Sequence, residues 1–316
     1  MATNINRQKI LSRKNWSIYD GVGSYDPGTC SDYNCTSGAF GGTDDAEIAP
    51  TALWNAMSVE PSSIDPLDGW TINMWVKPTW AQTNGTRMFI SCGDDTGAWN
   101  DNVFSFYFSN GGSGTLLNRI VTDIRTGTDK INAQWALHMF DAITGTGGIS
   151  EPDYPWSSAN PGYVNANGFN MLTMKYDPSL NATTSCVRFR IYWNGNDIGG
   201  PTLCYDTNPG SLTFLAGLSK TFRIGTRLVS NVSGMEGNLD EISYWTKALT
   251  DAEIMDIWNG TAAPGSTDGT PNNLLTHSAA AYLGSWWRFE NNFLDSSGGV
   301  HTLVNNGMSF DQTNKA

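Results

Sequence analysis

Hydrophobic and polar residues alternate in short runs along most of the chain, whereas apolar stripes with helical spacing are scarce. Thr71 to Pro78 sets Ile72, Met74 and Val76 on one face and stops at a proline, which cannot donate to a sheet ladder. Val103 to Phe108 gathers Phe104, Phe106 and Phe108 in the same way. Leu116 to Ile124, Ala133 to Phe140, Phe169 to Tyr176 and Phe222 to Gly225 are further strand candidates. Val187 to Trp193 runs into Asn194-Gly195, a strong hairpin signal because both residues tolerate positive φ. That register turns Val187, Phe189 and Ile191 inward and Arg188 and Arg190 outward. Leu239 to Tyr244 alternates once more, with Asp240, Ile242 and Tyr244 sharing one face and Leu239, Glu241 and Ser243 the other. A helix follows over 251–258: Thr250 and Glu253 have capping-box spacing, Leu249 and Ile254 the staple positions, and Gly260 the stop.

Composition points the same way. Charged residues make up only 15% of the 316, against 12% aromatics and 34 glycines, which suits a turn-rich β-sandwich better than a helical bundle. No internal repeat is visible. The net charge is -12, which argues against binding nucleic acid over the whole surface. The charge is unevenly placed, however: residues 1–19 hold Arg7, Lys9, Arg13 and Lys14 and no acid. That arm carries +4, so the difference from -12 leaves -16 on the rest. A basic arm on an acidic body reads either as a docking peptide for an acidic partner or as a terminus with a few solvated charges. No signal peptide is expected, since Met1 to Trp16 lacks an apolar core segment, and no apolar run is long enough to span a membrane. Six Asn-x-Ser/Thr sequons occur, Asn84, Asn181 and Asn231 among them, as an Asn- and Thr-rich chain yields by chance.

The strand-and-helix stretch Gly237 to Gly260 resembles the signature near the end of laminin-G-like, concanavalin A-like domains. Thr71 to Pro78 is similar to that family's "F-T-I-S-x-W-V-K-P" strand, Tyr192 to Gly195 to its hairpin, and Ala39 to Ile48 to its opening, with Gly41 in place of the first Asp. Trp286-Trp287-Arg288-Phe289-Glu290 to Gly299 looks like a segment that usually opens such a domain, yet here it closes the chain. The resemblance therefore implies an all-β antiparallel jelly-roll sandwich over 39–316, preceded by a basic arm and loop over 1–38. Its first family strand would be supplied by 283–310. The ordering is similar to that of concanavalin A-like proteins from tailed-phage particles. This implies a non-enzymatic virion structural protein, in capsid decoration or as a tail or fibre component, placed on the virion surface and made in the host cytoplasm. Its implied partners are other virion proteins and further copies of itself, with a trimer as one such assembly and glycans as targets of adhesion. A free carbohydrate-binding module or a divergent glycoside hydrolase is the alternative.

Candidate chemistry is sparse. By alternation Asp240 falls on the core face, where a carboxylate must be hydrogen-bonded or metal-bound. The resemblance adds that an Asp in this strand often helps hold structural calcium, for which Asp44 or Asp45 would be partners. The loop Gly93 to Asn102 is oxygen-rich but lacks EF-hand spacing. Sugar rings stack on flat aromatic faces, so Tyr154, Trp156 and Tyr163 in the long 147–168 segment, with Trp99, are candidate carbohydrate contacts. Packing those aromatics onto the sandwich or into a subunit interface is the plainer reading. None of the three histidines, His138, His277 and His301, lies in a triad or HExxH motif. Glu151-Pro152-Asp153 begins like a glycosidase carboxylate run, but Trp156 takes the third acidic place. Of the five cysteines, Cys186 and Cys204 flank the hairpin and could face each other; Cys30 and Cys35 could form a local clip; Cys92 is the odd one.

Overall fold

The computed structural model describes residues 37–41, 45–48, 69–78, 86–93, 103–109, 119–126, 129–136, 169–180, 185–201, 203–207, 221–226, 234–259, 273–299 and 301–311. Among the described residues sixteen strands form two sheets of eight. In sheet A, β10 (Asn196–Asp197), β9 (Phe189–Trp193), β8 (Asn170–Tyr176), β3 (Trp70–Pro78), β13 (Glu236–Trp245), β1 (Ser37–Gly41) and β16 (Ser309–Asp311) lie side by side. β14 (Leu283–Trp287) shares the edge of β13 that β1 uses: β1 pairs with the first half of β13 and β14 with the second. Sheet B runs β11 (Leu203–Thr207), β7 (Asp129–Ala136), β6 (Arg119–Thr126), β5 (Val103–Ser109), β4 (Thr86–Gly93), β12 (Thr221–Ile224), β2 (Asp45–Ile48) and β15 (Val304–Asn306). All ladder pairings are antiparallel, and the last thirty residues contribute strands to both sheets. The chain divides into two units, Met1–Cys35 and Thr36–Ala316, and the described residues all belong to the second.

The main core lies between the sheets. Ile72, Met74, Val76, Leu239, Ile242 and Tyr244 enter it from sheet A, and Phe89, Ile90, Phe104, Phe106, Phe108, Ile131 and Phe222 from sheet B. A second cluster covers the opposite face of sheet A, where Trp75, Met171, Tyr192, Trp245 and Trp286 meet Leu249 and, from helix α1 (Asp251–Asn259), Ile254 and Ile257. β8 is accordingly buried at every position, as a strand covered on both faces must be.

The helix is fixed by its sequence. Thr250 Oγ1 accepts from the Glu253 N–H at 3.2 Å and the Glu253 carboxylate accepts from the Thr250 N–H at 2.8 Å, completing the capping box. Tyr192 Oη donates to Asp251 at 2.6 Å, which ties the first turn to sheet A. The Asn194-Gly195 turn has φ of 48° and 80°, the double positive that this hairpin requires.

Three sequence expectations shift. The strand expected at 133–140 lies at Asp129–Ala136, in register with the whole of β6. β4 was not expected, because a bulge between Met88 and Ile90 sends both Phe89 and Ile90 into the core and breaks alternation. A second bulge falls between Asp240 and Ser243, with Glu241 at φ 48°. Leu239 therefore joins Ile242 and Tyr244 in the core, while Asp240, opposite Trp75, is on the other face.

Cys186 and Cys204 form a disulfide, with a Cα–Cα distance of 5.7 Å. Cys186 precedes β9 of sheet A and Cys204 lies in β11 of sheet B, so the bond staples the two sheets at one side. Cys92 is buried, and Cys30 and Cys35 lie outside the described residues. For a separation of 18 residues, loop-closure entropy amounts to about 3 kcal/mol. The Cys186→Ala/Cys204→Ala double variant should lose stability on that scale in urea denaturation, and reductant should shift the wild type but not the variant.

Candidate functional site

The face of sheet B that points away from the core carries a polar row that crosses the whole sheet. Strand by strand, Tyr205, Asn132, Asp123, Ser105, Ser91, Arg223, Glu47 and Val304 stand directly opposite one another. Their chain neighbours Phe104, Phe106, Ile131, Ala133, Phe222, Ile224, Ala46 and Ile48 fill the core, so alternation turns the row outward. The adjacent row reads Leu203, Gln134, Val121, Tyr107 and Met88, the last three forming a small apolar cluster of their own.

Hydrogen-bond polarity along this face is set by one residue. Arg119 is a donor only, and its guanidinium donates to Gln134 Oε1 at 2.8 Å. The Gln134 Nε2 must then donate, and it does so to Asn132 Oδ1. With its Oδ1 taken, Asn132 has its two Nδ2 protons left to donate, and the residue is only 3% exposed. Asp123 stands opposite it with carboxylate acceptors, 2% exposed, and Ser105 Oγ, at 1%, has no partner among the described residues. At the β12 end Arg223 is held between Asp45 at 3.1 Å and Glu47 at 3.0 Å. An oriented donor beside an acceptor is what a hydroxyl-bearing ligand needs. Sequence reasoning missed these residues because only the register brings four separate strands into one line.

The expected metal ligands are not brought together. Asp45 belongs to sheet B and is engaged by Arg223, whereas Asp240 belongs to sheet A and accepts the Glu241 N–H at 2.9 Å. The described residues contain no group of three His, Cys, Asp or Glu able to hold a metal ion. Asp44, Trp99, Tyr154, Trp156, Tyr163, Arg7, Lys9, Arg13 and Lys14 lie outside the described residues. Trp99 falls between β4 and β5, and the 147–168 segment between β7 and β8. The strand ends flanking Trp99, Gly93 and Val103, are at the opposite end of sheet B from Ala136, where the longer segment leaves.

Two other clusters have suggestive chemistry. Ser285 Oγ lies 2.7 Å from His301 Nδ1, and Asp295 lies 3.7 Å from the same nitrogen. A nucleophile relay uses both ring nitrogens, one for the base and one for the orienting carboxylate, so this trio is not one. Despite burial, hydrogen bonds from His301, Ser297 and the Trp286 N–H hold the Asp295 carboxyl below its ordinary range. Glu241 is buried on the outer side of sheet A, where Trp286 Nε1 donates to it and Arg288 stands at 3.3 Å. Burial outweighs those partners and pushes its pKa up to about 7.

A laminin G family model, described as the concanavalin A-like lectin/glucanases superfamily, matches residues 54–255. The chain belongs to that superfamily. Among solved structures, this concanavalin A-like chain is similar to the IT-sialidase CBM40 of Ruminococcus gnavus, at 14% identity and a TM-score of 0.42, over 70% of this chain and 96% of that one. It is also similar to a mutant of the NanB sialidase from Streptococcus pneumoniae, at 16% identity and a TM-score of 0.42, over 70% of this chain but 27% of that one. A leech intramolecular trans-sialidase gives 16% identity and a TM-score of 0.38, over 60% and 23%. No curated protein sequence matches the chain.

Glu241 generates a pH prediction. Its folded pKa is about 7, above the ordinary carboxylate value, so its contribution favours folding below about pH 4.3 and is lost as pH rises through 7. The Glu241→Gln variant should therefore flatten the decline in melting temperature between pH 5 and 8; an unchanged decline would exclude Glu241 as its source.

Proposed function

We propose that this concanavalin A-like sandwich is a non-enzymatic glycan-binding protein whose ligand lies on the outward face of sheet B. The observation carrying this reading is the Arg119–Gln134–Asn132 chain, which aims the Asn132 amide donors beside the Asp123 carboxylate. Sugar hydroxyls donate and accept at once, and such fixed donor–acceptor pairs supply orientation and specificity. A hydrolase would need an acid and a second carboxylate across a cleft. In the described part of this row, Asp123 is instead flanked by Asn132 and Ser105. A glycan array backed by calorimetry, with calcium present, should give hits whose affinity falls at least about tenfold, near 1.4 kcal/mol, in Asn132→Ala. A blank array at millimolar sensitivity would falsify the reading.

The setting we propose is the surface of a virion, in capsid decoration or a tail fibre, with other virion proteins and further copies of the chain as partners. Support comes from the sequence: the +4 carried by Arg7, Lys9, Arg13 and Lys14 precedes a body of the opposite charge, which suits docking through the arm and display of the sandwich. Structural calcium held by Asp240 with Asp44 remains part of this proposal only through Asp44. Deleting residues 1–16 should abolish incorporation into particles while leaving the melting temperature of the sandwich unchanged; normal incorporation removes the docking role.

A further inference from the structure

One side of the sandwich is closed by a strap that follows β14. The chain turns after Trp287, returns past it at an isolated bridge to Asp295, and then gives three residues to each sheet, β15 beside β2 and β16 beside β1. Among the described residues both are edge strands, and β15 is exposed at every position. Apolar side chains seat the strap. Leu303 and Met308 are buried in the main core, and Phe293 and Phe310 pack against it with ring centroids 4.9 Å apart. The turn that folds the strap back is strained. Phe289 has φ 52° and Asn291 φ 54°, the left-handed region where Cβ crowds the following carbonyl oxygen. Asparagine tolerates that region, but a bulky phenylalanine there is an outlier. Strain of this kind persists only where the surroundings hold it. Here the Phe289 ring is held edge-on by Phe40 and by Phe293 of the strap itself.

We propose that residues 292–311 are exchanged between two copies of the chain, with Phe289–Asn291 as the hinge. This rests on the reading above that further copies of the chain are partners, and it names the surface they share. An exchanged strap makes in the second copy every contact it makes in its own. The free edges of β1 and β2 and the core positions that receive Leu303 and Met308 are the same in both copies.

The two arrangements therefore differ chiefly at the hinge. Closed on its own sandwich, the chain must reverse direction through two left-handed residues that are not glycine. Extended between copies, it need not reverse at all. Both hinges of a dimer relax together, and that gain opposes the entropy lost on association. Exchange is thus favoured as the concentration of chains rises.

The test uses the full chain. Glu47 and Val304 stand opposite each other across β2 and β15, Val304 is 57% exposed, and Arg223 keeps Asp45 when Glu47 is replaced. In the Glu47→Cys/Val304→Cys variant, oxidation joins the two positions within one copy if the strap is at home, and between copies if it is exchanged. Light scattering on the wild type should show a dimer whose fraction rises with concentration. The oxidised double variant should run at twice the chain mass on a non-reducing denaturing gel, and Val304→Cys alone at the single mass. Asn291→Gly, at ease with positive φ, should weaken the dimer about fivefold. Asn291→Pro, which fixes φ at about −65°, should favour it. A dimer whose double variant closes within one copy refutes exchange and leaves further copies standing as partners. A chain that stays monomeric at every concentration removes both. If the glycine and proline variants shift the dimer in the same direction, the hinge is overturned.

Discussion

Sheet A is buried on both faces, and much of the architecture follows from that constraint. A strand with core on either side cannot end its side chains in water, so its polar groups need partners inside the protein. Thr71 Oγ1 takes the Leu249 N–H and donates to the Lys247 carbonyl, Ser243 takes the Trp245 indole, and Glu241 takes the Trp286 indole with Arg288 alongside. The Thr71 bonds cross between the sheet and the layer that covers it, the Glu241 bonds link β13 to β14 and the residue that follows it, and the Ser243–Trp245 bond lies within β13. The capped helix is therefore more than a connector: it is the lid of the second core, and its cap decides where the lid lies.

Covering sheet A in this way leaves sheet B with a different outward chemistry. One sheet has an apolar exterior sealed by α1, and the other a polar exterior threaded by Asn132, Asp123, Ser105 and Ser91. The polarity of that exterior is not a matter of composition alone. A single donor-only guanidinium at Arg119 propagates through two amides and determines what Asn132 offers. Direction in a hydrogen-bond chain is information, and here it is written two hydrogen bonds away from the group that uses it.

Local pattern made the framework readable. Pro78 ended β3, Asn194-Gly195 closed a hairpin, and Thr250 with Glu253 began the helix, because each acts on its own backbone within a few residues. Bulges were not readable. At Phe89 and at Glu241 an extra residue shifts the period, so β4 escaped notice and Asp240 was assigned to the wrong face. The outward row of sheet B was hidden for another reason. Asn132, Asp123 and Ser105 come from three strands and Tyr205 from a fourth, more than seventy residues along the chain, and only non-local pairing aligns them.

The bond between Cys186 and Cys204 has a meaning beyond stapling. β11 is an outermost strand, and such strands are where chains add to one another, swap or begin to unravel. Stitching that border to the opposite sheet works like a hem on cloth. It keeps a worn margin from becoming a seed for aggregation.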